Sequence, residues 1–152
     1  MLTKWFRMAL HLDAIGKAQW LFTKIKFFKQ FEGRPIAQYS RKDYLTHRDR
    51  AFSLAKERIG HFNGFYGYKF NKINIKNQKT RWGSCSKGGI LIFFNYKILF
   101  LSQGLSDYII VHELCHLGEF NHSRKFWNLV AKTVPDYLKI KSELKKTGIS
   151  FD

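Results

Sequence analysis

The stretch HELCHLGEFNH, which spans residues 112–122, contains three of the six histidines of the chain. Residues four apart project from one face of a helix, so the side chains of His112 and His116 can hold the same metal ion. Glu113 lies about 100° around the helix from His112 and is therefore offset from the ligand pair. Its carboxylate can then reach a water on the metal instead of the metal itself. This spacing predicts a helix that carries two metal ligands and a general base.

Two residues compete for the third ligand position. Glu119 would lie on the same face as His112 and His116 if the helix continued past them. Gly118 predicts that the helix ends first, so that the chain can turn back and bring His122 to the metal. We therefore predict His112, His116 and His122 as ligands of Zn²⁺, with Glu113 as the catalytic base. The alternative is that these histidines are surface or packing residues.

The spacing H-E-x-x-H-x₅-H has the length of the metzincin pattern, but two details differ. Position 119 is glutamate where that pattern has glycine, and no methionine follows the motif, since the chain has only Met1 and Met8. A metzincin needs a methionine turn downstream of its ligands. The sequence therefore predicts a zincin-like site that is not a metzincin site.

Helical periodicity surrounds this motif on both sides. Apolar residues at helical spacing predict an amphipathic helix over residues 41–62, with Ser40 as its N-cap. The motif helix begins near Ser102 or Ser106. Ser123 caps a further helix that ends at Pro135, and Asp136 opens the last helix.

Strand patterns fill the middle of the chain. Residues 66–75 alternate with one change of phase, which predicts strands with a bulge or turn between them. A hairpin turn at residues 87–89 joins 81–86 to the apolar run 90–96, which suits a strand covered on both faces. Such a strand would bind an extended peptide only if it lay at a sheet edge. The pattern predicts an α+β, zincin-like fold, with a small mainly antiparallel sheet packed on the active-site helix and flanking helices.

The N-terminal quarter is the least regular part of the sequence. Residues 2–12 fit one helical face, and residues 20–31 mix aromatic side chains with lysines. The second run suits an element packed on a core better than a helix on a membrane surface. We divide the chain into a short N-terminal segment, residues 1–39, and a hydrolase domain, residues 40–152.

The charge of the chain is strongly positive. Its 152 residues include 27 Lys and Arg against 11 Asp and Glu, a formal charge of +16. Such a surface attracts polyanions, including nucleic acid and nucleotides, although charge alone also serves solubility. Two cysteines are too few for a disulfide scaffold, and no apolar run approaches the ~18 residues of a membrane span. These features predict a cytoplasmic protein.

Several motifs between residues 80 and 144 resemble those of the YgjP-like family of zincin-type metal-dependent hydrolases. They are RWGSC at 81–85, HELCH at 112–116, NHS at 121–123 and FW at 126–127. The three-histidine spacing is more distantly similar to that of SprT-like and WLM proteases, which cut proteins crosslinked to DNA. Members of the family have a longer β-rich segment before the helix at 41–62, so substrate contacts made by that region are not expected here.

The resemblance implies a zinc metallopeptidase in which His112, His116 and His122 bind the metal and Glu113 is catalytic. Its substrate would be a peptide or protein. Arg81 could hold a substrate carboxylate or phosphate, or could brace the sheet together with Trp82.

The remaining polar candidates near the motif each have two interpretations. Asn121 could contact substrate or form a turn. Asp107 fits the first turn of the motif helix or a hydrogen bond to a zinc-bound histidine. The two cysteines, Cys85 and Cys115, are interpreted as packing residues, and Phe126 and Trp127 as core residues.

Two other functions fit the same residues. The positive charge and Arg81 would suit a metal-dependent hydrolase of nucleotides or phosphate esters, or a nucleic-acid-associated protease. A nucleic-acid-binding module with a structural zinc is a further alternative. Glu113 argues against it, because a structural site needs no base and usually closes its fourth position.

Overall fold

The computed structural model of the chain describes residues 34–86, 88 and 91–149. The predicted elements within residues 2–31 lie outside this range. Contacts between residues divide the chain into two units, 1–34 and 35–152, and the fold described below is that of the second. A domain boundary between residues 39 and 40 stays a prediction.

The described part of the chain contains four α-helices and a three-stranded sheet, which confirms the α+β class. Short 3₁₀ turns at Ile36–Gln38 and Tyr96–Phe100 supplement them. In chain order the elements are α1 (Arg41–Tyr66), β1 (Lys72–Lys76), β2 (Gly83–Cys85), β3 (Leu91–Asn95), α2 (Gln103–Cys115), α3 (Arg124–Thr133) and α4 (Tyr137–Lys145).

The sheet is mixed, with β3 in the centre. β3 runs parallel to β1 and antiparallel to β2. The expectation of a mainly antiparallel sheet is therefore wrong in this detail, because the chain crosses from β1 to the far edge before it returns as β3. β3 is covered on both faces as predicted, and Ile92 and Phe94 are fully buried. Since β3 is paired on both sides, it cannot receive a peptide edge-on.

Helix α1 begins where the sequence predicts it and ends later. The Ser40 backbone N–H donates to Asp43 Oδ2 at 2.7 Å, and the Ser40 hydroxyl accepts from the Asp43 N–H at 3.4 Å, which completes a capping box. The helix ends at Tyr66 because Gly67 adopts a left-handed conformation with φ of +68°. The prediction of a strand from residue 66 is therefore wrong up to residue 71.

Tyr66 and Tyr68 produced the false strand pattern, and the structure explains their spacing. Their rings stack with centroids 5.5 Å apart, and the Tyr66 hydroxyl donates to the Leu129 carbonyl at 2.9 Å. Both side chains pack against the domain from the end of a helix and the loop after it. The alternating spacing of Tyr66 and Tyr68 therefore reflects tertiary packing of their side chains and not an extended backbone.

Helix α2 is the central element and ten of its thirteen residues are buried. The Arg58 guanidinium of α1 donates to both carboxylate oxygens of Asp107 at 2.6 and 2.8 Å, which ties the two helices together. Asp107 therefore bonds Arg58 and not a histidine. It also lies beyond the first turn, because α2 begins at Gln103.

Helices α3 and α4 follow the sequence prediction closely. The Ser123 hydroxyl accepts from the Phe126 N–H at 3.4 Å at the start of α3, which ends before Pro135. Asp136 precedes α4 as expected. Among the described residues, no helix combines the length and apolar character that crossing a bilayer requires. Cytoplasmic location stays a prediction.

Candidate metal centre

Three imidazoles converge beside the end of α2. The Nε2 atom of His112 lies 3.2 Å from Nε2 of His116 and 3.0 Å from Nε2 of His122. In a tetrahedral zinc site with Zn–N bonds of 2.0–2.1 Å, two ligand nitrogens lie about 3.3 Å apart. The donor set and its spacing therefore fit a divalent metal ion. Among the described residues, no other group of three His, Cys, Asp or Glu side chains could hold one.

His112 lies deepest of the three, with 1 % of its surface exposed. The rings of Tyr108, Phe126 and Trp127 lie 4.9 to 6.0 Å from its imidazole, centroid to centroid. Burial lowers the pKa of His112 to about 2, and the positive charges of neighbouring groups, including His116, contribute to this shift. The imidazole is therefore neutral at ordinary pH, which is the form that binds a metal.

His116 is oriented by the backbone just beyond the helix. Its Nδ1 atom lies 3.3 Å from the Glu119 carbonyl oxygen. An Nδ1–H that donates to this carbonyl leaves the Nε2 lone pair directed at the centre, as metal-binding histidines commonly require. Glu119 thus contributes its carbonyl here, and its carboxylate is not part of the converging group.

The chain can return to the centre because α2 ends directly after the second histidine. Gly118 and Glu119 both donate backbone hydrogen bonds to the Cys115 carbonyl, at 3.0 and 2.9 Å, in a turn that follows the helix. A Cβ on Gly118 would collide with the Tyr68 hydroxyl. The predicted stop at Gly118 is therefore part of this turn, three residues after the helix has ended at Cys115.

His122 is exposed and is held by aromatic rings. It stacks on Trp127 with centroids 5.5 Å apart and an angle of 22°. Trp127 also stacks on Tyr137 at 5.1 Å, and the Lys141 ammonium lies 4.3 Å from its ring centre. Phe126 is a core residue as predicted, whereas Trp127 is only half-buried and contacts a candidate ligand. The only sequence signal for this contact is that Trp127 follows His122 by five residues.

Glu113 lies against strand β2. Its side chain is 3 % exposed, and a Cβ on Gly83 would lie 2.5 Å from its Oε1 atom and 2.6 Å from its Cγ atom. Only glycine allows β2 to pass this close to the carboxylate. The glycine of the RWGSC motif therefore makes room for Glu113, which sequence reasoning did not anticipate.

A cleft of about 300 Å³ adjoins the candidate ligands. It brings together both predicted substrate contacts, Arg81 and Asn121, with Glu113. The complete lining is Arg81, Ser84, Cys85, Glu113, His116, Phe120, Asn121 and His122. The Asn121 carbonyl also accepts from the Ser123 N–H at 2.7 Å, so this residue forms the turn as well.

The two cysteines differ in environment. Cys115 is fully buried, which confirms that it is a packing residue, and burial raises its pKa to about 11. Cys85 instead lines the cleft. Burial raises its pKa to about 11 as well, with a smaller contribution from the charge of Glu113. Both side chains are thus thiols at neutral pH.

The chain is similar to known metallopeptidases. The family model of the YgjP-like metallopeptidase domain matches residues 37–147. No curated protein sequence gives a significant match. The chain is 25 % identical to the metallopeptidase zymogen abylysin of Pyrococcus abyssi, with a TM-score of 0.58 over 64 % of this chain and 99 % of that one. It is also 25 % identical to the metallopeptidase zymogen jannalysin of Methanocaldococcus jannaschii, with a TM-score of 0.52 over 62 % and 97 %.

Proposed function

Since the chain belongs to the YgjP-like metallopeptidase domain family, we propose that it is a zinc-dependent peptidase whose metal is held by His112, His116 and His122. The observation that carries the proposal is the convergence of the three imidazoles, with Nε2 separations of 3.0 and 3.2 Å from His112. A nearly buried carboxylate, Glu113, lines the same cleft. Its substrate class is peptide or protein.

Three neutral imidazoles form a donor set that suits zinc and leave a fourth position for water or substrate. The ion supplies Lewis-acid chemistry when bound, because it polarises a carbonyl oxygen and lowers the pKa of water. The chain holds the ligands with the α2 backbone, the Glu119 carbonyl and the Trp127 ring. These contacts fix the ring orientations before a metal arrives.

Glu113 is the general base and acid in this proposal. It follows His112 on α2, and its carboxylate lies between Gly83 and the cleft. The carboxylate accepts a proton from the attacking water and later delivers it to the leaving amine. Such proton transfer typically contributes 10²–10⁴-fold to the rate.

Strand β2 provides the surface for an extended substrate. In the described sheet it pairs only with β3, and Ser84 and Cys85 line the cleft next to Glu113. A peptide can add to such an edge through main-chain hydrogen bonds. Arg81 and the Asn121 side chain, at the same cleft, are proposed to contact the substrate.

Hydrolysis of nucleotides or phosphate esters is the second candidate, because Arg81 lines the cleft and offers a bidentate donor to phosphate. The two candidate functions differ in the substrate that the chain hydrolyses, so assays with peptides and with nucleotides distinguish them.

The test is cleavage of a denatured protein such as casein by the full chain. We expect cleavage that a chelator stops and added zinc restores. Glu113→Gln should retain zinc and lose at least about 10²-fold in kcat, because the base is missing. Glu119→Gln is the matched control and should stay active.

Two results would contradict the proposal. One is full peptidase activity in Glu113→Gln. The other is metal-dependent hydrolysis of nucleoside triphosphates with no cleavage of any peptide, which would favour the second candidate.

A further inference from the structure

A second cavity lies where the start of α1, the loop after β1 and the 3₁₀ turn after β3 meet. Its volume is about 510 Å³, within the range of small-molecule sites. It shares no lining residue with the cleft beside the histidines. Its lining consists of Ala37, Tyr39, Ser40, Arg41, Asn77, Lys79, Lys97, Thr147, Gly148 and Ile149.

The charge of this cavity is entirely positive among its described lining residues. Arg41, Lys79 and Lys97 contribute three cations, and no carboxylate lines the wall. Asp43, nearby on α1, is engaged in the capping box, where its Oδ2 atom accepts from the Ser40 N–H and hydroxyl at 2.7 Å each. The cavity therefore offers an anion several donors and no competing negative group in its wall.

Lys97 is the residue that distinguishes this cavity from an ordinary basic surface. Its side chain lies in the cavity wall, only 6 % of the residue is exposed, and burial lowers its pKa. Among the described residues, no hydrogen-bond acceptor or carboxylate is paired with its ammonium group. An ammonium in such a wall loses part of its hydration, and a bound anion would compensate this cost.

Hydrogen bonds made by two buried residues hold the walls of the cavity in place. The Asn95 side-chain amide donates to the carbonyls of Gln78 and Arg81 at 2.8 and 2.9 Å, and its Oδ1 atom accepts from the Lys97 N–H at 3.2 Å. The Tyr96 hydroxyl donates to the Ser40 carbonyl at 3.0 Å. Asn95 and Tyr96 are fully buried. The loop carrying Lys79, the start of α1 and Lys97 are thus positioned together before any ligand binds.

We propose that this cavity binds the phosphate group of a small anion, with Lys97 as the central contact and Arg41 and Lys79 at its sides. Charge-assisted hydrogen bonds from an ammonium and a guanidinium are the usual means of holding phosphate. Tyr39 and Ile149 provide apolar wall for an organic part of the ligand. Binding of the anion in this cavity does not require the metal chemistry proposed at the three histidines.

The experiment is calorimetric titration of the full chain at 0.15 M salt with AMP and, separately, inorganic phosphate. We expect saturable binding of one AMP per chain. Lys97→Met should weaken this binding at least tenfold, because it removes the central cation and keeps a side chain of similar volume. The matched control is Lys139→Met, which removes an exposed lysine of α4 outside the cavity.

The experiment includes a replacement variant and a second kind of ligand. If Lys97→Met fails to fold, judged by its near-UV circular dichroism, the exposed Lys79→Gln variant replaces it and should weaken binding severalfold. A short DNA without terminal phosphates distinguishes a polynucleotide backbone from a free phosphate as the source. Lys97- or Lys79-dependent binding of AMP supports the site, whereas binding of the DNA without binding of AMP would contradict a small anion as the ligand. Absence of saturable binding, or equal affinity in the wild type and these variants, overturns it.

Discussion

Gly83 and Glu113 show at the scale of single residues how the backbone and the proposed base depend on each other. The carboxylate occupies the space that a side chain at position 83 would need. A residue with any Cβ must therefore displace either β2 or Glu113.

Gly83→Ala is expected to lower kcat by roughly 10²-fold while zinc binding persists, because a shift of about 1 Å in a catalytic group has effects of that size. The measurement is peptidase activity together with zinc content. Gly104→Ala, in α2, is the control and should stay active, because its new Cβ would lie within 4 Å of no atom outside the adjoining backbone of its own helix. Wild-type kcat in Gly83→Ala would show that Glu113 is not positioned by β2.

The buried His112 predicts a pH dependence of stability in the metal-free chain. Its pKa is about 2 in the folded state against an ordinary value of 6.5. Between these values the unfolded chain binds a proton that the folded chain does not, so the free energy of unfolding falls as pH is lowered below 6.5. One such proton contributes at most about 1.4 kcal/mol per pH unit.

Urea unfolding of chelator-treated protein between pH 6.5 and 5 measures this dependence. His112→Leu should flatten it, whereas His61→Leu, on the exposed surface of α1, should leave it in place. An unchanged slope in His112→Leu would mean that His112 accepts its proton readily in the folded state.

Residue spacing was sufficient to predict that His112 and His116 converge, because i and i+4 positions on a helix fix their relative direction. It was not sufficient for Trp127 or Gly83. Their roles depend on which ring or strand the fold brings against the site, and this is a long-range property. Cys85 is a similar case, since only the pairing of β2 with β3 places it at the cleft.

At the scale of elements, α3 supports the exposed histidine. Ser123 caps this helix, and the next turn places Trp127 against His122. His122, the candidate ligand, therefore lies in a turn but is held in place by a residue of α3. Loss of the Trp127 ring would remove the support of the His122 imidazole, while all three metal-binding nitrogens would remain.

Trp127→Ala is expected to weaken zinc affinity by about 10–100-fold, the usual effect of removing a residue that orients a metal ligand. Competition with a fluorescent zinc chelator measures it. Trp127→Phe keeps an aromatic ring at the position and should restore most of the affinity. Equal zinc affinity in Trp127→Ala and the wild type would show that His122 needs no support from α3.

The order and type of most elements could be predicted, since helix caps such as Ser40 and Ser123 and a helix stop such as Pro135 act locally. The end of α1 and the direction of β1 could not. Gly60 and Gly64 resemble helix stops, yet only Gly67 adopts the positive φ that ends the helix. Whether β1 runs parallel to β3 depends on where β2 lies, which no local pattern encodes.

At the scale of the whole molecule, a chain with a net charge of +16 places cations in two separate cavities. Arg81 lines the cleft beside the histidines, whereas Lys79, two residues earlier, lines the second cavity. The loop that contains Lys79 and Arg81 thus contributes one cation to each of the two cavities. A nucleic-acid or nucleotide partner for this surface stays a prediction.

Metal binding by the three histidines is tested by the zinc content of the purified chain and its variants, measured by elemental analysis after dialysis. We expect one zinc per wild-type chain, near zero in His122→Ala and one in Glu119→Ala. A wild-type chain without a stoichiometric ion, or loss of zinc in Glu119→Ala with retention in His122→Ala, would contradict it.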